Sequence, residues 1–159
     1  MQPDDLGITL LGSDTPLERP NLRRAVVIRA DLGPAVEFAT TTGTTRAMFP
    51  ITGGEARGLG WQARILPGGA DFALALPDGS YAIEARYCLE MTDGTPIMVT
   101  NAGKMIPQAD GSYLGRTRAS LEVPQGPHAA LGDAVYFGTA IALPGDQDHV
   151  FIELWEAPV

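Results

Sequence analysis

The sequence is poor in cysteine, histidine and positive charge, and it contains no long hydrophobic run. Its single cysteine, Cys88, cannot form an internal disulfide, and no cluster of cysteine and histidine has the spacing of a zinc site. Lys and Arg number 11 against 19 Asp and Glu, giving a net charge of −8. This acidity disfavours nucleic acid and anionic membranes as partners, because both require a basic face. No apolar run approaches the ~18 residues expected of a membrane-spanning helix.

The N-terminal stretch differs in composition from the rest of the chain. Residues 1–21 are rich in Pro, Asp, Gly and Thr, and we predict a flexible arm there, followed by one domain over residues 22–159. Residues 1–24 contain no apolar segment preceded by positive charge, so no signal peptide is predicted. The expected location is therefore cytoplasmic.

Helical periodicity is also missing, and the pattern that is present is typical of strands. The chain has 19 glycines and 13 prolines, with turn signals every 8–14 positions between alternating runs. This pattern predicts an all-β sandwich or barrel with about eight to ten antiparallel strands, and closure into a barrel would remove exposed edges. The glycine-rich segment 51–69 predicts bulges or close backbone approach.

Two Asp-Gly pairs, at positions 78–79 and 93–94, join three alternating runs between residues 67 and 103. Asp-Gly favours a two-residue type I′ hairpin turn, and such a turn fixes the register of the strands beside it. With two turns of this kind, Asp71 lies opposite Arg86 and Arg86 lies opposite Asn101. Glu84 follows one step away on the same face.

This predicted row suggests acid–base chemistry. Arg86 provides a permanent cation, and Asn101 adds an amide donor, so together they suit an oxyanion. Glu84 or Asp71, if desolvated, gains a raised pKa and serves as a general acid or base. None of these roles needs a cofactor or a metal.

A structural interpretation of the same residues stays open. An exposed Asp71–Arg86 ion pair contributes only ~0–1 kcal/mol and is a common device on an outer sheet face. The opposite face, which carries Phe72, Tyr87 and Thr100 in the predicted register, is the more apolar one. If that face lines the barrel, Tyr87 and Thr100 are the polar groups of the pocket. A shift of one position would move Asp71 to the other face.

Other side chains are weaker candidates for ligand contact. Trp61 and Tyr113 are aromatic residues that suit either a pocket wall or core packing. His128 lies in a predicted loop and is a candidate for moving protons. No Ser-His-Asp arrangement and no phosphate-binding glycine pattern is present.

Several short motifs resemble those of the family called domain of unknown function 3237. They are ITGG followed by PGGADF, then EARY, then the Asn101-x-Gly103 pair and Phe137-Gly138. The similarity extends from about Leu22 to Glu156. It implies a small antiparallel barrel of the allene oxide cyclase or lipocalin kind, in a homo-oligomer. Glu84 replaces the Asp of the usual DARY-like motif.

Three functional hypotheses follow. The first is a cofactor-independent isomerase, cyclase or lyase that acts on a small, largely apolar molecule bearing a carbonyl or phenol in the barrel cavity. The second is a barrel that binds such a molecule without turnover. The third is an assembly module whose exposed sheet face forms an oligomer.

Overall fold

The protein is an antiparallel β-barrel, described here from a computed structural model that covers residues 20–158. Ten strands follow one another along the chain: β1 Arg23–Leu32, β2 Val36–Ala39, β3 Thr45–Gly58, β4 Trp61–Ile65, β5 Gly69–Ala75, β6 Tyr81–Met91, β7 Pro96–Pro107, β8 Tyr113–Glu122, β9 Val135–Ala142 and β10 His149–Ala157. A short 3₁₀ helix, Ala129–Gly132, precedes β9. Within residues 20–158, no helix has the length and apolarity needed to cross a membrane. The predicted arm lies almost wholly outside the described residues.

Eight strands close the barrel. β5 to β10 pair in sequence, β10 pairs with β1, β1 pairs with β3, and β3 pairs with β5. The other two strands pair with β3 as well. β2 continues along the same edge of β3 beyond the end of β1. β4 lies beyond the start of β5 and pairs with both β3 and β6. The predicted all-β barrel with eight to ten strands is confirmed.

Alternation along the strands determines what fills the barrel. The odd-numbered residues of β6 and β7 point inward, and they include Leu89, Ile97 and Val99, each at most 1% exposed. The bulge predicted in the glycine-rich segment lies between the pairs Asp31–Gly53 and Leu32–Ile51. It lies close to the point at which the neighbour of β3 changes from β1 to β2.

The two Asp-Gly hairpins differ from the prediction in loop length. Leu76 N–H donates to the Ser80 carbonyl oxygen at 2.8 Å, which leaves a three-residue loop, and the bond from Met91 to Thr95 repeats this arrangement. Gly79 is left-handed at φ 83°, and no described residue other than glycine has positive φ. The predicted type I′ turns are therefore wrong: each loop is a type I turn followed by a left-handed glycine.

That one additional loop residue shifts the register by one position. Asp71 pairs with Ala85, Ala85 pairs with Asn101, and Arg86 pairs with Thr100. Because successive side chains on a strand alternate between faces, the shift separates residues that the sequence had placed together.

Candidate functional site

Arg86 and Glu84 lie on the outside of the barrel. Their side chains form an ion pair with Nη2 and Oε1 2.5 Å apart, and they are 66% and 46% exposed. Thr100, opposite Arg86, is also on the outer face, and Phe72 is half exposed there. The predicted row of Asp71, Arg86 and Asn101 is therefore not formed. An oxyanion role for Arg86 inside the cavity, or an interior contact for Phe72 or Thr100, has no support in this geometry.

Asp71 and Asn101 lie on the inner face instead. Both pair with Ala85, one from each side, so they lie on alternate strands of one transverse row. Tyr87 follows Ala85 on the same face of β6 and is 2% exposed. Of the apolar face predicted from the sequence, the part on β6 that carries Tyr87 lies inside the barrel, but Asp71 takes the inward place on β5 that was predicted for Phe72, and Asn101 the one on β7 predicted for Thr100.

The transverse row can be followed most of the way around the barrel. It consists of Phe49, Asp71, Ala85, Asn101, Ala119, Tyr136, Glu156 and Arg23, each paired with the next. Alanines separate Asp71 from Asn101 and Asn101 from Tyr136. Small side chains at these inward positions leave more space beside the polar groups than leucine or valine would.

The Asp71 carboxyl group is partly buried and has one described hydrogen-bond donor. Its Oδ1 accepts the backbone N–H of Glu84 at 3.1 Å. Burial raises the pKa of this carboxyl from 3.8 to about 6, although the hydrogen bond opposes the rise. Asp71 therefore exchanges a proton close to neutral pH, as a general acid or base must.

Three buried polar atoms, one each on β6, β7 and β8, have no hydrogen-bond partner among the described residues. They are the Tyr87 hydroxyl, Asn101 Oδ1 and the Thr117 hydroxyl. Burial, and to a smaller extent the negative charge of Asp71, raises the pKa of Tyr87, so its hydroxyl stays protonated and able to donate. Most buried polar groups are paired, so each of these three atoms is able to take a further hydrogen-bond partner.

Two glycines make room for this arrangement. A Cβ atom on Gly69 would lie 2.6 Å from Tyr87 Cβ, so glycine is required for the tyrosine to take its place beside β5. Gly103 pairs with Thr117, and a Cβ there would lie 2.8 Å from Thr117 Cγ2. Both glycines belong to the segments that carried the family resemblance.

An aromatic cluster lies next to the acid. Phe49 pairs directly with Asp71 across β3 and β5, and its ring centroid is 6.0 Å from that of Tyr81. The ring centroid of Tyr81 in turn lies 5.9 Å from that of Tyr113. Tyr113 thus faces the interior, and the three rings form one continuous aromatic surface there.

A second acid faces the interior farther along the row. Glu156 is 8% exposed and forms an ion pair with Arg23, whose side chain is largely exposed. Tyr136 donates to the Leu131 carbonyl oxygen at 2.8 Å, and burial together with the charge of Glu156 raises the pKa of Tyr136 to about 12. Because Glu156 and Tyr136 both have partners, we assign them to the barrel structure.

The remaining predicted residues lie away from Asp71. Trp61 packs its indole ring over Gly58, where any Cβ would collide with it. His128 Nε2 is 3.2 Å from Asp93 Oδ2, joining the loop before β9 to the β6–β7 hairpin. Neither side chain joins the polar group around Asp71. Within the described residues, no group of three His, Cys, Asp or Glu is placed to hold a metal ion.

Sequence reasoning missed Thr117, Phe49 and Tyr81 as site residues. Strand alternation carries the signal for Thr117, because Tyr113 and Leu121 flank it at even spacing and identify the inward set of β8. Phe49 was missed because it lies beside Asp71 only through the pairing of β3 with β5. Alternation along one strand does not specify which strand pairs with it.

The fold and the site together define a small closed β-barrel with an acid and unpaired polar groups in its interior. The chain belongs to the family described as "Protein of unknown function (DUF3237)", which it matches over residues 20–157. This agrees with the resemblance drawn from the sequence.

Individual relatives support the same assignment. A UPF0311 protein from Rhodopseudomonas palustris strain TIE-1 is 37% identical over 76 residues, covering 48% of this chain and 50% of that protein. The chain therefore spans about half the length of the curated relatives it matches. A β-barrel-like protein from Acinetobacter baumannii AYE has a TM-score of 0.80 at 25% identity, covering 92% of this chain and all of the other.

A second similar solved structure is that of an enzyme from Penicillium herquei. It has a TM-score of 0.65 at 20% identity and covers 92% of this chain and 100% of the other. At this identity the likeness shows the fold alone.

Proposed function

We propose that the barrel interior is a cofactor-independent acid–base site for small, largely apolar molecules that carry a carbonyl or a phenol. The observation that carries the proposal is Asp71, an inward-facing carboxyl with a pKa of about 6 whose charge reaches the buried, unpaired hydroxyl of Tyr87. An isomerase, cyclase or lyase needs a group that takes and returns a proton near neutral pH. Asp71 takes this role.

The groups that hold the reacting oxygen differ from those proposed on the sequence alone. The Tyr87 and Thr117 hydroxyls are buried, unpaired and able to donate, and they replace Arg86 in this role. The Asn101 amide provides a further contact from β7. Donors fixed in a site that excludes water stabilise developing negative charge more strongly than donors in water.

Proton abstraction by Asp71 is testable without knowing the natural substrate. In 5-nitrobenzisoxazole, a base removes the proton on carbon 3, the ring N–O bond breaks, and its electron pair goes to the phenolate oxygen while a nitrile forms. We expect the protein to catalyse this elimination with a rate that rises with pH through about 6. Asp71→Asn should lower the rate by about 100-fold or more, the usual contribution of a general base.

Glu84→Gln provides the matched control, because it also neutralises a carboxylate but on the outer face. It should leave the elimination rate within about twofold of the wild type. Equal loss in both variants, or no rate above that of acetate buffer, would count against an acid–base role.

The second candidate function is binding without turnover, which the same unpaired atoms favour. Saturable binding of a neutral phenol such as 4-hydroxyacetophenone, together with absence of elimination, would assign the barrel to this class. The Penicillium herquei protein is an enzyme, but the likeness does not extend that property to this chain.

We also propose that the chain forms a homo-oligomer through β2, as the third hypothesis requires. Within residues 20–158, β2 pairs with β3 alone, and its Val36 and Phe38 are about half exposed. Val36, Met48 and Phe72 form one outward apolar row across β2, β3 and β5. A second copy related by a twofold axis presents the same strand in antiparallel orientation, which completes the edge on both sides.

A further inference from the structure

We infer that the barrel interior selects uncharged ligands that present a hydroxyl group as well as a carbonyl. This inference rests on the proposed site but concerns what binds there, not whether a reaction follows. It narrows the carbonyl- or phenol-bearing class to molecules that carry both kinds of oxygen and no negative charge.

The charge of the inner face disfavours an anionic ligand. Among the described inward-facing residues of the transverse row, the acids are Asp71 and Glu156, and the one cation near them, Arg23, pairs with Glu156. Arg86 lies outside and pairs with Glu84. An anionic ligand would therefore lose its hydration, meet no free cation beside Asp71, and be repelled by that carboxylate above its pKa.

The unpaired polar atoms of the interior need both a hydrogen-bond acceptor and a hydrogen-bond donor. The Tyr87 and Thr117 hydroxyls are donors that need an acceptor, which a ligand carbonyl supplies. The Asn101 amide carries an acceptor oxygen that needs a donor, and a carbonyl cannot provide one. A hydroxyl both donates and accepts, so it satisfies the amide in either orientation. A ligand with a carbonyl alone leaves part of the site unpaired.

Aromatic rings give one side of the barrel interior a flat, apolar surface. Phe49, Tyr81 and Tyr113 form a chain of contacting rings, and Phe49 pairs with Asp71. Ala85 and Ala119 flank Asn101. A flat ring would find an aromatic surface beside Asp71, with the Asn101 amide between the two alanines two strands farther along the row.

Three small aromatic probes test these requirements by isothermal titration calorimetry at about pH 7.5, where Asp71 is ionised. 4-Hydroxyacetophenone has a neutral carbonyl and a hydroxyl, acetophenone lacks the hydroxyl, and 4-hydroxybenzoate replaces the ketone with an anion. We expect 4-hydroxyacetophenone to bind about tenfold more tightly than acetophenone, and 4-hydroxybenzoate to show no saturable binding.

Two variants test which residues set the selection. Asp71→Asn should admit 4-hydroxybenzoate while 4-hydroxyacetophenone still binds, because the repelling charge is gone and a polar group remains. Asn101→Leu should reduce the preference for 4-hydroxyacetophenone over acetophenone to about twofold or less. Glu84→Gln, on the outer face, should change neither preference.

Methyl NMR of the wild-type protein provides a readout that survives if a variant fails to fold. With alanine methyl groups labelled, 4-hydroxyacetophenone should shift the signals of Ala85 and Ala119, whereas exposed Ala109 should not move. Binding of 4-hydroxybenzoate as tight as that of the ketone, failure of 4-hydroxyacetophenone to bind, or shifts confined to outer residues would overturn the inference. If the order of binding holds but benzisoxazole elimination fails, the proposed catalysis fails alone.

Discussion

Asp71 shows how much the face of a single side chain determines. On the outer face, with Arg86, it would be a solvated ion pair of little consequence. On the inner face, burial raises its pKa to about 6 and brings it close enough to Tyr87 for its charge to affect that hydroxyl. The chemistry proposed for the barrel depends on this one orientation.

The raised pKa of Asp71 also makes stability depend on pH. The folded protein holds the Asp71 proton more tightly than the unfolded chain does. Protonation of Asp71 therefore adds to the free energy of unfolding, and this addition is complete below about pH 4. It is lost as pH rises to about 6. A pKa raised from 3.8 to about 6 corresponds to roughly 3 kcal/mol at most.

Urea unfolding between about pH 4 and 7 measures this contribution, because Asp71→Asn should flatten the decline. Several loop carboxyls act in the opposite sense, since their lowered pKa values add stability that is lost on acidification: Asp78, Asp93, Asp110 and Asp146. These four carboxyls are present in both the wild type and Asp71→Asn, so their effect cancels in the difference between the two free energies of unfolding. A difference that does not change over this range would show that Asp71 titrates normally.

At the scale of elements, three hairpin loops share one hydrogen-bond pattern. In each, an aspartate Oδ1 accepts the backbone N–H two residues later: Asp78 from Ser80, Asp93 from Thr95 and Asp110 from Ser112. The glycine between them is left-handed. The sequence marks these loops clearly by Asp-Gly followed by Ser or Thr, but the same letters also suit a two-residue turn. The choice between two and three loop residues determines the face of every neighbouring side chain.

The cost of losing a left-handed glycine is measurable in isolation at Gly94. An added Cβ meets nothing within 4 Å, so Gly94→Ala should lower the free energy of unfolding by about 1 kcal/mol through backbone strain alone. Gly53→Ala is the matched control, since its φ is not positive and the nearest atom to an added Cβ is 3.8 Å away. Urea titration of both variants provides the comparison. Equal effects would show that strain at φ 87° does not account for the difference.

At the scale of the whole molecule, closure joins parts of the chain that are far apart in sequence. β1 pairs with β10, and the Arg23–Glu156 ion pair links residues 133 positions apart. Closure leaves β2 as the strand whose second edge has no described partner. Within residues 20–158, the second edge of β2 is therefore the place where a further strand can be added.

Light scattering tests the proposed oligomer. We expect Phe38→Glu to lower the molar mass of the assembly toward that of one chain, because a charge beside a second copy of itself opposes pairing. Phe137→Glu is the control, since Phe137 is similarly exposed on the outer face of β9, away from β2. A wild type that is monomeric at high concentration, or an oligomer unaffected by Phe38→Glu, would contradict the proposal.

The sequence by itself determined the class of fold and which residues of each strand share a face. Alternation separated Tyr87, Leu89 and Met91 from Arg86 and Cys88, because successive side chains of a strand point to opposite sides. Only the tertiary structure decided how these sets combine between strands. It turned Asp71 and Asn101 inward with Tyr87 and left Arg86 outside, because loop conformation and barrel closure fix register through contacts that no single strand contains.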